Sequence, residues 1–293
     1  AVNILKSWSS GNYYNVKTHF PDLTQPPSLK PIDAIYITRQ SIEQKVFFDN
    51  RIIFITNEKN RGFAAANNIA LQYSLNRNDF HFAWLLNNDT VVEPTTLSVL
   101  VTHATKSAAK IGIWGSKLLK YYQPQVLQGV GGLYNKWLGK VNEIGFNQTD
   151  DGRWGYNNFR FDYVIGASMF VAKDFLNEVG LMEEDYFIYY EELDWAIRGR
   201  KKGWNLGYCY QSRVYHKMGS AINQNKSFNS EIADYYSVRN RILIAKKYFP
   251  LTLLTLYPAF LKFIFNRIRL KQFSRIKLLF VIMLNPKKHF NTN

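Results

Sequence analysis

One cysteine, Cys209, in 293 residues excludes an intramolecular disulfide framework and a cysteine-rich zinc site. A reducing, cytoplasmic compartment is the expectation. No uncharged apolar run reaches the ~18 to 20 residues of a bilayer span, and the opening AVNILKSWSSGNYY lacks the basic start and apolar middle of a secretory signal. A protein neither secreted nor integral to a membrane is expected. Internal repeats and low-complexity tracts are also missing. With 17 Gly, 9 Pro, 46% hydrophobic and 16% aromatic residues, the composition is that of a folded domain rather than a disordered or collagen-like chain. The length suits one large domain or two small ones.

A further absence is local. From Tyr235 to Asn293 there is no Asp or Glu, against 12 Lys or Arg, so most of the net charge of +15 belongs to this tail and the first 234 residues carry only +3. In KKYFPLTLLTLYPAFLKFIFNRIRLKQFSRIKLLFVIM bulky apolar residues alternate with spaced cations. The 14 uncharged residues from Tyr248 to Leu261 are broken by Pro250 and Pro258. That pattern suits amphipathic helices lying on an anionic membrane surface. A helical subdomain packing its apolar face on the body is the alternative. Nucleic acid is disfavoured, because the tail is so apolar and the acidic clusters of the body would repel a phosphate backbone. The division expected is 1–234 and 235–293.

The body reads as alternating strand and helix. RIIFIT (51 to 56), FHFAWLL (80 to 86) and IGIWGSKLL (111 to 119) are strand-like runs, separated by helix-like GFAAANNIALQYSL (62 to 75) and EPTTLSVLVTHATK (93 to 106). This order predicts an α/β fold with a mainly parallel twisted sheet flanked by helices. Ligands in such sheets bind beyond the carboxyl ends of strands, where NNDT (87 to 90) falls. Residues 120–160 read as loops and hairpins rich in Gly, Asn, Tyr and Trp. A strand with small residues at 166 to 168, a helix closing at Gly180, the helix YYEELDWAIRGRKKGW and short strands ending at His216 follow.

Five segments in register resemble the inverting nucleotide-sugar glycosyltransferases of family 2, in particular bacterial rhamnosyltransferase-like members. They are NEKNRGFAAANNIAL (57 to 71), WLLNNDTVVEP (84 to 94), IGASMFVAKDFLNEVGLMEEDYFIYYEELDWAIRGRKKGW (165 to 204), VYHKMGSA (214 to 221) and YYSVRNRILIAKKYFP (235 to 250). The resemblance implies the GT-A fold. It implies that NNDT is a variant of the DxD motif, with Asp89 holding Mg²⁺ or Mn²⁺ against the donor diphosphate and Asn87 and Asn88 lining sugar and ribose. Hard divalent ions favour such oxygen ligands. His216 matches a second metal ligand, although a histidine after a strand also serves as an ordinary polar group.

YEELD resembles the family's ED motif, whose second acid is the catalytic base. Glu192 is that acid here, with Glu191 in reserve and Asp194 expected to pair with Arg198 on a solvated face. Asn60, Arg61, Gly62 and Asn67 are nucleotide-side candidates, since small residues let a helix start approach a diphosphate. A helix packed on a sheet accounts for the alanines equally well. Gly166 and Ala167 resemble the acceptor-side floor. Trp137, Trp154 and Trp195 are candidates for stacking on sugars.

The family opens with two strands, the second ending in a DNxSxD-type motif. Neither is read here, and AVNILKSWSSGNYY resembles the helix that follows them, so an N-terminally incomplete domain is expected. The implied function is sugar transfer from a nucleotide-diphosphate sugar, dTDP-rhamnose or a UDP-sugar, to a lipid-linked or polysaccharide acceptor at the cytoplasmic membrane face. The alternative is a truncated, inactive relative that binds membrane surfaces.

Overall fold

The computed structural model describes residues 2–12, 17–24, 28–156, 160–218 and 226–286, with the side chains of 226–230 and 274 left aside. Gly219 to Ala221 of VYHKMGSA, Asn157 and Asn158 of the Gly-rich middle, and the tail cations Lys287 and Lys288 lie outside the described residues.

The chain begins with α1 (Val2–Ser10), α2 (Pro21–Thr24), β1 (Ala34–Thr38), α3 (Arg39–Glu43), β2 (Ile52–Thr56) and α4 (Phe63–Arg77). It continues through β3 (Phe82–Leu86), β4 (Thr90–Val92), α5 (Thr96–Lys106), β5 (Ile111–Lys120), β6 (Gln123–Gly129), β7 (Gly132–Asn135) and β8 (Lys140–Glu143). Then come β9 (Ser168–Ala172), α6 (Lys173–Val179), α7 (Glu191–Lys201), β10 (Asn205–His216), α8 (Lys226–Tyr248), α9 (Leu253–Arg269) and α10 (Phe273–Leu284).

The α/β class is as the sequence predicts, but the pairing is more mixed than the mainly parallel sheet expected. The larger sheet runs β3-β9-β5-β10-β4, with β6 also on β5. Among the described strands only β1–β2 and β5–β10 are parallel. The cause is the long segment between β5 and β9. It folds into β6 and the β7–β8 hairpin instead of a crossover helix, so β9 enters antiparallel between β3 and β5. β1 and β2 form their own two-stranded sheet. The sequence reading places no strand before residue 51, and β1 corrects it.

β5 is the spine: from Gly112 to Leu119 every residue is buried, as a central strand requires. Ile113 and Leu119 join Val171, Trp195 and Tyr208 in the main core. A chain of hydroxyls crosses this apolar layer. Trp84 Nε1 donates to Ser168 Oγ at 3.0 Å, and Ser116 Oγ lies 2.8 Å from both Ser168 Oγ and Ser212 Oγ. Ser212 belongs to a bulge in β10, where residues 210–212 have no partner on β5 while Cys209 pairs with Ser116 and Arg213 with Lys117.

The C-terminal helices pack on the body and on each other. Tyr236 and Ile242 of α8, Leu256, Phe260 and Ile264 of α9, and Leu279 and Ile282 of α10 form one apolar cluster. Residue 235 falls inside α8, whose second half is part of the body's packing. Pro250–Arg269 is long and apolar enough to cross a membrane by length and composition. An uncharged run cannot be found there because Lys262 interrupts it.

Candidate active site

Three left-handed residues in a row of four, Phe187, Tyr189 and Tyr190 (φ 63, 69 and 74°), lead into α7. Such backbone is costly for bulky side chains and persists only when its surroundings hold it. Here α8 does so. Asn240 Nδ2 lies 2.8 to 2.9 Å from the carbonyls of Tyr186, Ile188 and Tyr189, and Arg239 donates to the backbone and carboxylate of Asp185. Both side chains are fully buried. In the sequence they fall within YYSVRNR, a segment whose pattern alone assigns them no role.

That turn presents Glu191 and Glu192 at the start of α7. The Glu192 carboxylate rests on Gly166: a Cβ there would stand 2.4 Å from Glu192 Oε1. Burial pushes the Glu192 carboxyl up to about 7, against backbone hydrogen bonds from Glu192 and Gly166. Glu191 is buried, its Oε2 has no hydrogen-bond partner, and burial followed by the charge of Glu192 holds its carboxyl well above the ordinary range. Gly166 therefore makes room for Glu192, and Ala167 beside it accepts a hydrogen bond from the Asn87 backbone at 3.1 Å.

This last contact ties the carboxylates to the NNDT turn. Thr90 Oγ1 donates to the Asn87 carbonyl at 2.7 Å and Lys217 N to the Asp89 carbonyl at 3.0 Å. Asn88 is exposed. Asp89 directly precedes β4, where Thr90 pairs with His216 at the end of β10. The two side chains consequently meet, His216 Nε2 lying 3.0 Å from Asp89 Oδ1. His216 Nδ1 faces Gln128 Oε1 at 2.8 Å, and Gln128 hydrogen-bonds onward to the Glu143 carboxylate. Since that amide must donate to the carboxylate, its oxygen accepts from His216 Nδ1–H, which turns the Nε2 lone pair toward Asp89. Burial pushes His216 below the ordinary histidine range, against the pull of Asp89, so the ring is neutral near pH 7. A carboxylate and a neutral imidazole lone pair directed at one another suit a cation, and the Gln128 contact is the kind that orients a metal-binding histidine. Among the described residues no group of three or more His, Cys, Asp or Glu is placed to hold a metal. The pair fits an ion whose other ligands come from phosphate and water.

The nucleotide-side candidates gather elsewhere. A cleft of about 420 Å³ lies between α3 and the start of α4, lined by Arg39, Glu43, Asn60, Arg61, Gly62, Asn68 and Glu184 among others. Asn60 Oδ1 accepts from Gly62 N at 3.0 Å, and Arg61 pairs with Glu184 at 3.2 Å. Asn67 turns away, donating to the Phe63 carbonyl at 2.9 Å, while buried Asn68 lines the cleft and holds Met182 and Glu184. Sequence reasoning misses Asn68, Arg39, Glu43, Gln128 and Glu143. The first was within reach, because Ala64, Asn68 and Leu71 recur on the buried face of α4.

Other expectations are corrected. Asp194 is not solvated. It is completely buried and takes hydrogen bonds from Tyr186, Arg198, Lys247 and Tyr248. Burial works against its charge, but these partners outweigh it and hold the carboxyl below the ordinary range. Trp154 and Trp195 are core residues, with Trp195 Nε1 donating to the Gly180 carbonyl at 2.8 Å. Trp137 is exposed.

Residues 36–157 match the model of glycosyl transferase family 2, beginning within β1. The hexosyltransferase Agl10 of low-salt glycan biosynthesis from Haloferax volcanii is 24% identical over 202 residues, 68% of this chain and 61% of that one. The dTDP-rhamnosyl transferase RfbF from Shigella flexneri is 24% identical over 248 residues, 77% of this chain and 78% of its own. Over residues 36–157 the chain is thus similar to the family 2 glycosyltransferases. It spans less than two thirds of the Haloferax relative's length. A solved structure of GalNAc-T7 with UDP, GalNAc and Mn²⁺ aligns with 63% of this chain and 39% of its own, at 17% identity and a TM-score of 0.43. The family match covers the cleft's lining from Arg39 to Gln72, the NNDT turn and Gln128, while Glu184, Glu192 and His216 lie beyond it.

Proposed function

We propose that this chain is a family 2 glycosyltransferase that inverts the anomeric centre of a nucleotide-diphosphate sugar, with Glu192 as general base. The observation that carries the reading is the Glu192 carboxylate, raised to about 7 and seated on Gly166 within a few residues of the NNDT turn. An acceptor hydroxyl attacks the anomeric carbon as its proton passes to Glu192. The bond to the diphosphate breaks on the opposite face, and its electron pair leaves with the phosphate. Asp89 and His216 would hold Mg²⁺ or Mn²⁺, which when bound neutralises charge on the departing diphosphate. The cleft beside Arg39, Asn60 and Arg61 receives the nucleotide. The relatives' printed activities favour dTDP-rhamnose or another hexosyl donor, and the acceptor proposed with it is a lipid-linked or polysaccharide glycan at the cytoplasmic face of a membrane.

Calorimetric titration with dTDP, UDP and GDP, each with and without Mn²⁺, tests the donor half. Tight binding of one nucleotide only with metal is expected. Asp89→Ala should remove the metal dependence, and donor affinity should fall at least ~10-fold. Gln128→Leu should weaken Mn²⁺ binding by ~10- to 100-fold, the usual cost of removing an orienting partner, measurable by paramagnetic resonance of free Mn²⁺. Equal nucleotide binding with and without metal would sink the assignment of Asp89 and His216.

A further inference from the structure

We propose that the exposed face of α9, together with the tip of the β7–β8 hairpin, docks on an anionic lipid bilayer. The side chains of α9 divide between two faces. Leu256, Phe260 and Ile264 recur every four residues and are buried in the cluster with α8 and α10. Leu254, Pro258, Leu261, Phe265 and Ile268 alternate at four and three residues, which places them in one stripe on another side. All five are exposed, Leu254 at 78% and Phe265 at 68%. The helix thus has one more apolar face than the fold covers.

The hairpin adjoins the N-terminal end of this helix. Thr255 Oγ1 donates to the Trp137 carbonyl at 2.6 Å, and Gly139 lies against Leu256. This brings Trp137, 49% exposed, and exposed Leu138 to the same end of α9. Tryptophan, apolar with one polar edge, suits the boundary between lipid and water.

Charge selects the occupant. Lys262, Arg269, Lys271 and Lys277 are exposed and make no ion pair among the described residues. Asp234, the last acid of the chain, is taken up by Arg267 and Arg275, each at 2.9 Å. The outward cations are therefore uncompensated. Two copies of such a face would repel, whereas an anionic bilayer offers an apolar layer beneath a negative one. Crossing the bilayer would pull Phe260 and Ile264 out of their cluster and Arg267 off Asp234, so the helix lies in the interface.

The proposal rests on the glycosyl-transfer reading for its purpose only, since vesicle binding needs no donor. The full chain should sediment with phosphatidylcholine vesicles containing phosphatidylglycerol at least ~10-fold more tightly than with phosphatidylcholine alone, and less so as salt rises. Leu261→Glu with Phe265→Glu should abolish that binding while leaving the thermal melt and transfer to a water-soluble acceptor intact. Trp137→Phe should remove part of the fluorescence quenching by brominated lipid. Binding without anionic preference, or undiminished binding by the double variant, would overturn the proposal. A dimer in solution that the double variant makes monomeric would do so as well, assigning the face to a second copy. Vesicle binding without any transferase activity would instead remove the functional reading and leave this one standing.

Discussion

Glu192→Gln should lower the rate of glycosyl transfer by roughly 10²- to 10⁴-fold while donor binding stays unchanged. The amide keeps the shape that sits on Gly166 but cannot take the acceptor's proton. Because burial raises Glu192 to about 7, the parent's kcat/KM should rise with pH through that value as the base ionises. This limb should vanish in the variant. Stability runs the other way. A carboxyl whose folded pKa lies above its unfolded one holds its proton more tightly when folded, so the folded state loses stability as pH climbs from about 4.5 to about 7. The variant should melt higher than the parent above pH 7, a gain at a site kept charged for work. Glu191→Gln tests the reserve candidate. It should keep the activity, because the carboxylate oxygen against Gly166 belongs to Glu192, while buried Glu191 has an oxygen without a hydrogen-bond partner. Equal turnover by the Glu192 variant would move the base elsewhere.

Gly62→Ala should cost at least ~3 kcal/mol of stability and most of the activity. Gly62 has φ 91° and ψ 179°, a region open essentially to glycine alone, and an added Cβ would stand 2.1 Å from the Phe187 carbonyl oxygen. Neither side can yield cheaply. Phe63 N donates to the same carbonyl at 2.7 Å, and the turn behind it is pinned by Asn240. At ~2 to 4 °C per kcal/mol for a chain approaching this size, the melting temperature should fall by about 6 to 12 °C. The residue that bridges α4 to the turn before Glu192 thereby couples the two halves of the site. Gly203→Ala is the control. Its φ is 79°, yet nothing lies within 4 Å of the added carbon, so only backbone strain is felt. A similar loss in both variants would mean that the contact with Phe187 contributes nothing.

Local features were the legible ones. RIIFIT, FHFAWLL and IGIWGSKLL announce β2, β3 and β5, and the acid-to-base gradient of α7 announces its direction. β1 escaped because AIYIT is short and follows a polar, proline-marked stretch. Strand order is a matter of non-local pairing, and no periodicity in residues 120–160 says that β9 will slot between β3 and β5. Gln128 and Glu143 were illegible for the same reason. Their value comes only from His216, 88 positions from Gln128. Gly166 was found through resemblance as a floor that leaves room for an acceptor sugar, while its contact with Glu192 was not legible. The tail was legible as apolar and basic, yet composition cannot tell which of the two apolar faces of α9 turns inward.

The bulge in β10 has a consequence for parity. Side chains on a strand alternate between faces, so inserting an even number of residues preserves the alternation beyond the insertion and an odd number reverses it. Residues 210–212 are three. Were these three residues paired one by one with β5 instead of bulged, His216 would lie about 10 Å further along at ~3.3 Å per residue, past the last residue of β5, and the residues after them would face the other way. The imidazole reaches Asp89 because the count is odd. Ser212, bonded to Ser116 in the hydroxyl chain, is what holds the loop of extra backbone in the sheet, so a serine in the apolar interior sets which way a histidine four residues later points.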